Sequence, residues 1–325
     1  MLGTGKSFRT SREADTIRNG CTSAILRGHA TMRSGTVELA CAIERSSRGA
    51  RKTYTVNAGP VRYAGYLGRI RVVTFVPADL ELAAGSPSAR RAFMNVALSQ
   101  TEPRYYYELA KYREVLKQKN AMLRGAIELD AHLLATYNRA LVDAGTEIML
   151  ARERFVRSLA QTALTAHRHF AGGESLLLAY EPDVAFEAPR SEAVAGAFEE
   201  QLLESLDAER WRKSSLVGPH RDDLRLTLDG ISLAAYGSQG QQRTAVLALK
   251  VAEYTVMRER SNEAPLLLLD DVLSELDDDR AAAFLAEIAQ YEQTFVTATH
   301  CPPGLPAAAH LARISNARVE SYVAC

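Results

Sequence analysis

Asp270 and Asp271 close the apolar run Pro265-Leu266-Leu267-Leu268-Leu269. The run is too short to span a membrane and has the length of a fully buried parallel strand. Acids at the end of such a strand lie on the carboxyl edge of a sheet, where open α/β folds place their ligands. Upstream stands the polar loop Tyr236-Gly237-Ser238-Gln239-Gly240-Gln241-Gln242-Arg243, and Val246, Leu247, Leu249, Val251 and Ala252 follow it at helical spacing. Downstream come Val272-Leu273-Ser274-Glu275-Leu276-Asp277 and then Phe295-Val296-Thr297-Ala298-Thr299-His300. Taken alone, the two acids read equally well as surface carboxylates at a strand end. A second near-motif, Gly5-Lys6-Ser7, has the end of a phosphate-binding loop. Such a loop needs a strand before it and a helix directly after it. Phe8-Arg9-Thr10-Ser11-Arg12 is no helix start, so the match is rejected.

The elements that must position these residues follow from periodicity. Residues 22–26, 36–43, 52–56 and 71–76 are rich in β-branched side chains between Gly, Ser and Asn turns, which predicts an antiparallel β region. Pro77-Ala78-Asp79-Leu80 then switches the chain to helix. From 88 to about 170 the pattern is helical, with Pro103 opening a second helix and a third over 127–169 whose Gly145 marks a kink or a break. Tyr105-Tyr106-Tyr107 could stack bases, but aromatics at helical spacing are more often core. Residues 176–180 predict a strand and 193–210 a helix, while Asp229-Gly230 turns one short strand into another. Two short strands, 311–315 and 319–323, end the chain. Strand–helix alternation after 176 argues for an α/β domain into which the helical block is inserted.

Composition narrows the class. The 325 residues are 47% hydrophobic and 24% charged, as in ordinary globular proteins, and carry no net charge. Residues 1–72 hold thirteen Lys and Arg against four Asp and Glu, so a basic front end faces a net acidic remainder. That suits phosphate contact or simply a solvated face. Cys21, Cys41, Cys301 and Cys325 show no metal-like spacing and fit a reducing compartment. With no apolar run of membrane length and no signal-peptide layout, a cytoplasmic location without membrane contact is expected.

The order of the polar loop, the apolar strand with its acids, and the strand before His300 resembles the head domain of ATP-binding-cassette ATPases. There a hydrophobic strand ends in the Walker B acid, a D-loop with a Leu-Asp pair follows, and a signature loop opens a helix upstream. Gly237-Ser238-Gln239-Gly240-Gln241 is similar to that signature, with Gln239 in place of the first glycine of its pair. The finer resemblance is to the RecF family, bacterial recombination mediators related to the Rad50 and SMC heads. It is carried by Ser238-Gln239-Gly240-Gln241-Gln242-Arg243, by Leu269-Asp270-Asp271-Val272-Leu273-Ser274-Glu275-Leu276-Asp277 and by Gly218-Pro219-His220-Arg221-Asp222-Asp223. Pro77-Ala78-Asp79-Leu80, Arg90-Arg91-Ala92-Phe93 and the segment from Leu2 to Thr10 match as well, so it runs nearly end to end. The implied fold is α/β, an ABC-type (Rad50/SMC head-like) P-loop NTPase with an inserted helical domain. Residues 1–87 would be the N-terminal β part of the head, 88–172 the helical insertion, and 173–325 the part with signature loop, Walker B and D-loop.

The resemblance also implies roles. Asp270 would hold the water shell of a Mg²⁺ ion bridging ATP phosphates, a hard cation wanting carboxylate oxygen. Asp271 replaces the usual Glu and would orient or deprotonate the attacking water; its side chain, shorter by about one methylene, implies slow turnover. Ser238, Gln239, Gly240 and Gln241 would bind the γ-phosphate of a partner protomer's ATP at a helix start, making an ATP-dependent homodimer with Asp277 across the interface. His300 sits where transporters carry a switch histidine, and otherwise reads as a loop residue. Gln100 reads as a helix residue, and no Q-loop glutamine stands near Phe75.

One family feature is not in these residues. A strand, phosphate loop and helix would take roughly thirty residues ahead of the β region. A start placed too far downstream is the expected cause, a shortened protein with half a site the alternative. Loss of that strand should expose sheet and destabilise the domain. The chain alone would then be inactive, whereas with the loop upstream a slow DNA-dependent ATPase results. The implied function is ATP-dependent binding of gapped or single-strand–double-strand junction DNA in support of recombinase loading, with RecO and RecR type partners. The rival is a non-catalytic DNA- or protein-binding remnant. The candidates for reading DNA phosphates are Arg9, Arg12, Arg45, Arg48, Arg51 and Lys52.

Overall fold

Alternation of β-branched and polar residues drives the front of the chain into a meander whose strands neighbour one another in sequence order. These are β1 (Ser23–Met32), β2 (Gly35–Ser46), β3 (Gly49–Val56) and β4 (Gly59–Val61). The computed structural model describes residues 1–325 except 8, 9, 11, 48, 126–129, 172, 274, 275, 302–304, 306–308, 317 and 325. The first hairpin exceeds its expected length because pairing runs unbroken from Ser23↔Glu44 to Met32↔Gly35. Cys41 and Ile43 are buried on one face of this sheet together with Ile17, with Leu26 and Tyr54 packed against them.

A one-turn helix, α1 (Tyr63–Tyr66), leads to β5 (Val72–Phe75). The expected switch at Pro77–Leu80 is a 3-10 turn in which Asp79 Oδ2 accepts the Val76 N–H at 2.9 Å. After α2 (Glu81–Ala84) come α3 (Pro87–Thr101), α4 (Pro103–Gly125) and α5 (Ala131–Ala171). The two prolines stand at first helical positions, where a missing N–H costs nothing. α5 does not break at Gly145. A Cβ there would meet Phe198 Cε1 at 2.6 Å, so the glycine serves close helix packing.

The expected helix 193–210 is instead two, α6 (Ser191–Glu204) and α7 (Leu206–Arg212), divided at Ser205. The re-aimed α7 buries Glu209 against Lys119 of α4, with Nζ to Oε2 at 2.7 Å. β6 (Leu176–Glu181), β7 (Asp223–Leu228) and β8 (Ile231–Ser232) form an antiparallel sheet. Asp229 and Gly230 take positive φ of 48° and 80° in its two-residue turn, the geometry that hairpin twist demands. Then follow α8 (Leu233–Tyr236), α9 (Gln239–Ser261), β9 (Leu266–Asp270), α10 (Asp278–Ile288), β10 (Thr294–Thr297), β11 (His310–Ser315) and β12 (Arg318–Ala324).

β9 is the parallel strand that the apolar run predicted, in a sheet of order β10-β9-β5, but β5, expected among the antiparallel strands, pairs parallel with β9 instead because its partner lies nearly two hundred residues along the chain. One hydrophobic core joins this sheet, α9, α5 and the β6–β7 hairpin, and residues 244–254 of α9 are all buried in it. Leu267 and Leu269 enter that core, but Leu266 and Leu268 are half-buried rather than fully buried. Their face, with Val72, opens into a cleft of about 1120 Å³ walled opposite by Leu26, Ala30 and Val96. At the rim of β5 the Gln100 amide takes the place of a neighbouring strand, accepting from Val72 N at 2.9 Å and donating to Val72 O at 3.1 Å. Among the described residues no helix is long and apolar enough to cross a membrane.

Candidate functional site

The register of the parallel sheet sets Phe75 beside Leu269 and Thr297 beside Asp270, so three strands end together. Asp271 then turns the chain at φ 54°, a left-handed conformation that Asp tolerates better than most residues. Its N–H donates to the Thr297 carbonyl at 3.1 Å and lies 3.1 Å from Thr297 Oγ1. The Thr297 hydroxyl in turn donates to Asp270 Oδ1 at 2.7 Å. One residue of β10 thus holds both acidic positions in place. Val272 and Leu273 are buried beneath them. No three His, Cys, Asp or Glu side chains group as a metal-holding set among the described residues.

Ser238 caps α9. Its Oγ accepts the Gln241 N–H at 3.2 Å while Gln241 Oε1 accepts the Ser238 N–H at 2.8 Å, a reciprocal capping box. That box leaves the first-turn amides of Gln239 and Gly240 without a hydrogen bond inside the described chain. Gln241 Nε2 donates to Glu174 Oε1 at 2.6 Å, and Gln242 Nε2 to the Gly237 carbonyl at 3.1 Å, which fixes the loop from two sides. Ser238 and Gln239 are exposed.

Asp277 caps α10 through Oδ1, which accepts the Arg280 N–H at 2.9 Å, and Oδ2 meets Arg280 Nη1 at 3.1 Å. A Cβ on Gly240 would come within 3.4 Å of the same Nη1. The Arg280 side chain therefore reaches from the first turn of α10 to Gly240 in the first turn of α9. His300 is exposed three residues beyond β10, its Nδ1 3.0 Å from Thr299 Oγ1. Ser274 and Glu275 lie outside the described residues.

Thr297, Arg280 and Glu174 were not singled out from the sequence. A hydroxyl at the end of the strand beside the acids was the only available signal for Thr297. In Gly5-Lys6-Ser7 the Gly5 N–H donates to the Met1 carbonyl at 2.7 Å, which closes a turn there. Of Tyr105-Tyr106-Tyr107, Tyr105 is core, bonded to Asn95 Oδ1 at 2.6 Å, and Tyr106 meets Tyr107 edge-on rather than forming a platform.

The basic candidates divide. Arg9 and Arg48 lie outside the described residues, and Arg12, Arg45 and Arg51 are exposed. Lys52 does not belong with them: its side chain is 7% exposed, pairs with Glu13 and donates to the Gly5 carbonyl at 2.6 Å. A second polar centre lies inside the molecule. Arg152, buried in α5, reaches Asp222 Oδ2 at 2.6 Å, Pro219 O at 2.6 Å, Asn95 Oδ1 at 3.0 Å and Tyr105 Oη at 3.1 Å. Asp222 also accepts the Tyr180 hydroxyl and, on Oδ1, the Asp183 N–H at 3.0 Å. Nearby, Arg90 grips Asp223 with Nε and Nη2 at 2.7 and 2.8 Å.

Acids at the carboxyl edge of a parallel sheet and two helices, α9 and α10, each opened by a side-chain cap, belong together in one class, the α/β head of ATP-binding-cassette type with a helical insertion. No protein-family model matches the chain. The DNA replication and repair protein RecF of Symbiobacterium thermophilum is 39% identical over 303 residues, covering 92% of this chain and 80% of that protein. Its namesake in Thermosynechococcus vestitus is 40% identical over 306 residues, with 93% and 80% covered. The solved structure of the recombination mediator protein RecF-ATPrS in the RecFOR pathway superposes with a TM-score of 0.88 at 25% identity, over 98% of this chain and 85% of that one. The RecF-ATP structure gives 0.84 at 27% identity, over 92% and 80%. The chain belongs to the RecF family.

Proposed function

We propose that this chain is an ATP-dependent DNA-binding protein of replication and recombinational repair, acting at gapped duplex or single-strand–double-strand junctions in support of recombinase loading. The observation that carries the reading is the start of α9. There two unbonded amides and an exposed Ser238 sit at the positive end of a 23-residue helix, open to an anion from outside the protomer. An ATP γ-phosphate held by a second copy is such an anion, so nucleotide would join two chains. Ser238, Gln239, Gly240 and Gln241 would bind it, and Asp277 would lie across the same interface.

Asp270 and Asp271 fit a Mg²⁺ ion, which typically takes one or two carboxylates and completes its shell with water and phosphate oxygens. Such an ion would neutralise phosphate charge. Asp270, oriented by Thr297, would hold its water shell, and Asp271 would position the attacking water. His300 is exposed close to the same strand end and can approach a γ-phosphate. The relatives named for the RecFOR pathway and for ATP support ATP as the nucleotide and RecO and RecR type partners.

Sedimentation with and without Mg²⁺-ATP, alongside anisotropy with a labelled gapped duplex, tests the reading on a chain that carries the phosphate loop upstream of these residues; no ATP-dependent dimer is expected of the 325 residues alone. A doubled mass with ATP, lost in Ser238→Arg and Asp270→Asn, is expected together with tighter DNA binding. DNA binding indifferent to ATP, with no change of mass, would leave the non-catalytic binding module as the function.

A further inference from the structure

Away from the carboxylates, a cavity of about 200 Å³ opens between α3, α4 and the Pro219-His220 turn. Its walls carry Arg91, Asn95, Arg113, Arg152 and His220. The charges there do not balance. Arg152 is paired with Asp222, and Arg90 behind it with Asp223. Arg91 finds only a backbone carbonyl, Nη1 donating to Asp222 O at 2.7 Å. Arg113 lies exposed on α4 and makes no ion pair among the described residues. Two guanidinium groups are thus left over at one small cavity.

Burial, and then the neighbouring Arg152, pull the Arg91 pKa below its ordinary value, and Asp223 and Asp222, each already paired with another arginine, offset this only in part. Asn95 adds a donor. Its Oδ1 is committed to Tyr105 and Arg152, which leaves the NH₂ group unbonded. His220 contributes no charge: its Nδ1 meets Tyr112 Oη at 2.7 Å, and burial holds its pKa down. The cavity volume is several times the roughly 30 Å³ that a water occupies in the liquid, enough for a tetrahedral oxyanion. Guanidinium forks match phosphate oxygens in geometry as well as charge.

We propose that this cavity is a phosphate-binding site in which Arg91, Arg113 and the Asn95 amide hold one phosphoryl group. The group is either a backbone phosphate of nucleic acid or free phosphate. The site lies in the helical block rather than among the basic residues of the β meander, and it does not depend on nucleotide binding at α9.

Two titrations test it on the full chain. Inorganic phosphate is followed by calorimetry, and a labelled gapped duplex by anisotropy over a range of salt. Arg113→Gln is the first variant because its side chain is exposed and unpaired; Arg91→Gln is the second, with melting temperature as the fold control. Phosphate binding weakened about tenfold or more in both variants is the expected result. A salt slope for DNA that also falls by about one identifies a backbone phosphate as the occupant. Lost phosphate binding with unchanged DNA binding identifies free phosphate instead. Folded variants that bind phosphate and DNA as the parent does, or a parent that binds no phosphate and keeps its DNA salt slope in both variants, overturn the proposal. ATP-dependent dimerisation is indifferent to every one of these outcomes, so this site and the α9 reading fail separately.

Discussion

Thr297 shows what a single hydroxyl does at the edge of a parallel sheet. It donates to Asp270 Oδ1 at 2.7 Å and receives the Asp271 amide, so it orients one acid and fixes the turn that aims the next. Removing a partner that orients a metal-binding carboxylate typically weakens metal affinity about 10- to 100-fold. On the proposed role of Asp270, Thr297→Val should weaken Mn²⁺-ATP binding by about that factor in calorimetry of a chain that carries the phosphate loop. Thr297 is exposed, so unfolding in urea should change by only about 1 kcal/mol. The pair Arg152–Asp222 behaves oppositely, because both side chains are buried. Asp222→Ala strands the guanidinium and should cost about 3–5 kcal/mol in urea unfolding. A packed apolar pair, Arg152→Met with Asp222→Leu, should recover much of that loss, and no recovery would mean that the wider tyrosine and asparagine network carries the stability. Asp270 and Asp271 were legible in the sequence because acids ending an apolar run announce a sheet edge. Thr297 was not, because its partners are 26 and 27 residues away and only strand pairing brings them together.

At the scale of elements, long periodic segments could be read and their junctions could not. α3, α4 and α5 follow from apolar spacing and from Pro103 at the start of α4, whereas Pro87 at the start of α3 went unread. The division of α6 from α7 does not, because it answers to burial of Glu209 against Lys119 on a distant helix. Gly145 was read as a flaw in α5, yet it is a contact: the helix passes so close to Phe198 of α6 that a methyl group has no room. Gly145→Ala should thus destabilise despite its better helix propensity, by about 1–3 kcal/mol for overpacking. Phe198→Leu in the same chain should return part of it, and thermal melts of the two variants decide the matter. The start of α9 has a different economy. Ser238→Ala removes a cap worth about 1 kcal/mol. The middle of α9 is buried throughout, so the helix should persist with a frayed first turn. Amide exchange at Gln241 should then speed up while residues 244–254 stay protected.

Most of the molecule is held by one core that spans the parallel sheet, α9, α5 and the β6–β7 hairpin, while the β meander keeps a small core of its own around Cys41 and Ile43. Two histidines make the stability pH-sensitive. His167, buried near the end of α5, has Nδ1 3.2 Å from the Glu174 carbonyl, and Glu174, Asp229 and Arg280 face it. His220 lies in the turn beside Asp222, facing Asp183, Arg221 and Asp222. Burial lowers both pKa values below the ordinary 6.5, and the nearby carboxylates only partly offset it. The unfolded chain then binds more protons than the folded one at mildly acid pH, so unfolding free energy rises with pH. The two contributions are complete above about 6.5 and are lost as pH falls from there toward the depressed folded values. Each can add a slope of up to about 1.4 kcal/mol per pH unit inside that window. Urea unfolding at pH 5.5, 6.0, 6.5 and 7.5 should show the parent losing stability on acidification. His167→Gln with His220→Gln should flatten the curve. A variant curve as steep as the parent's would move the origin of acid sensitivity to carboxylates.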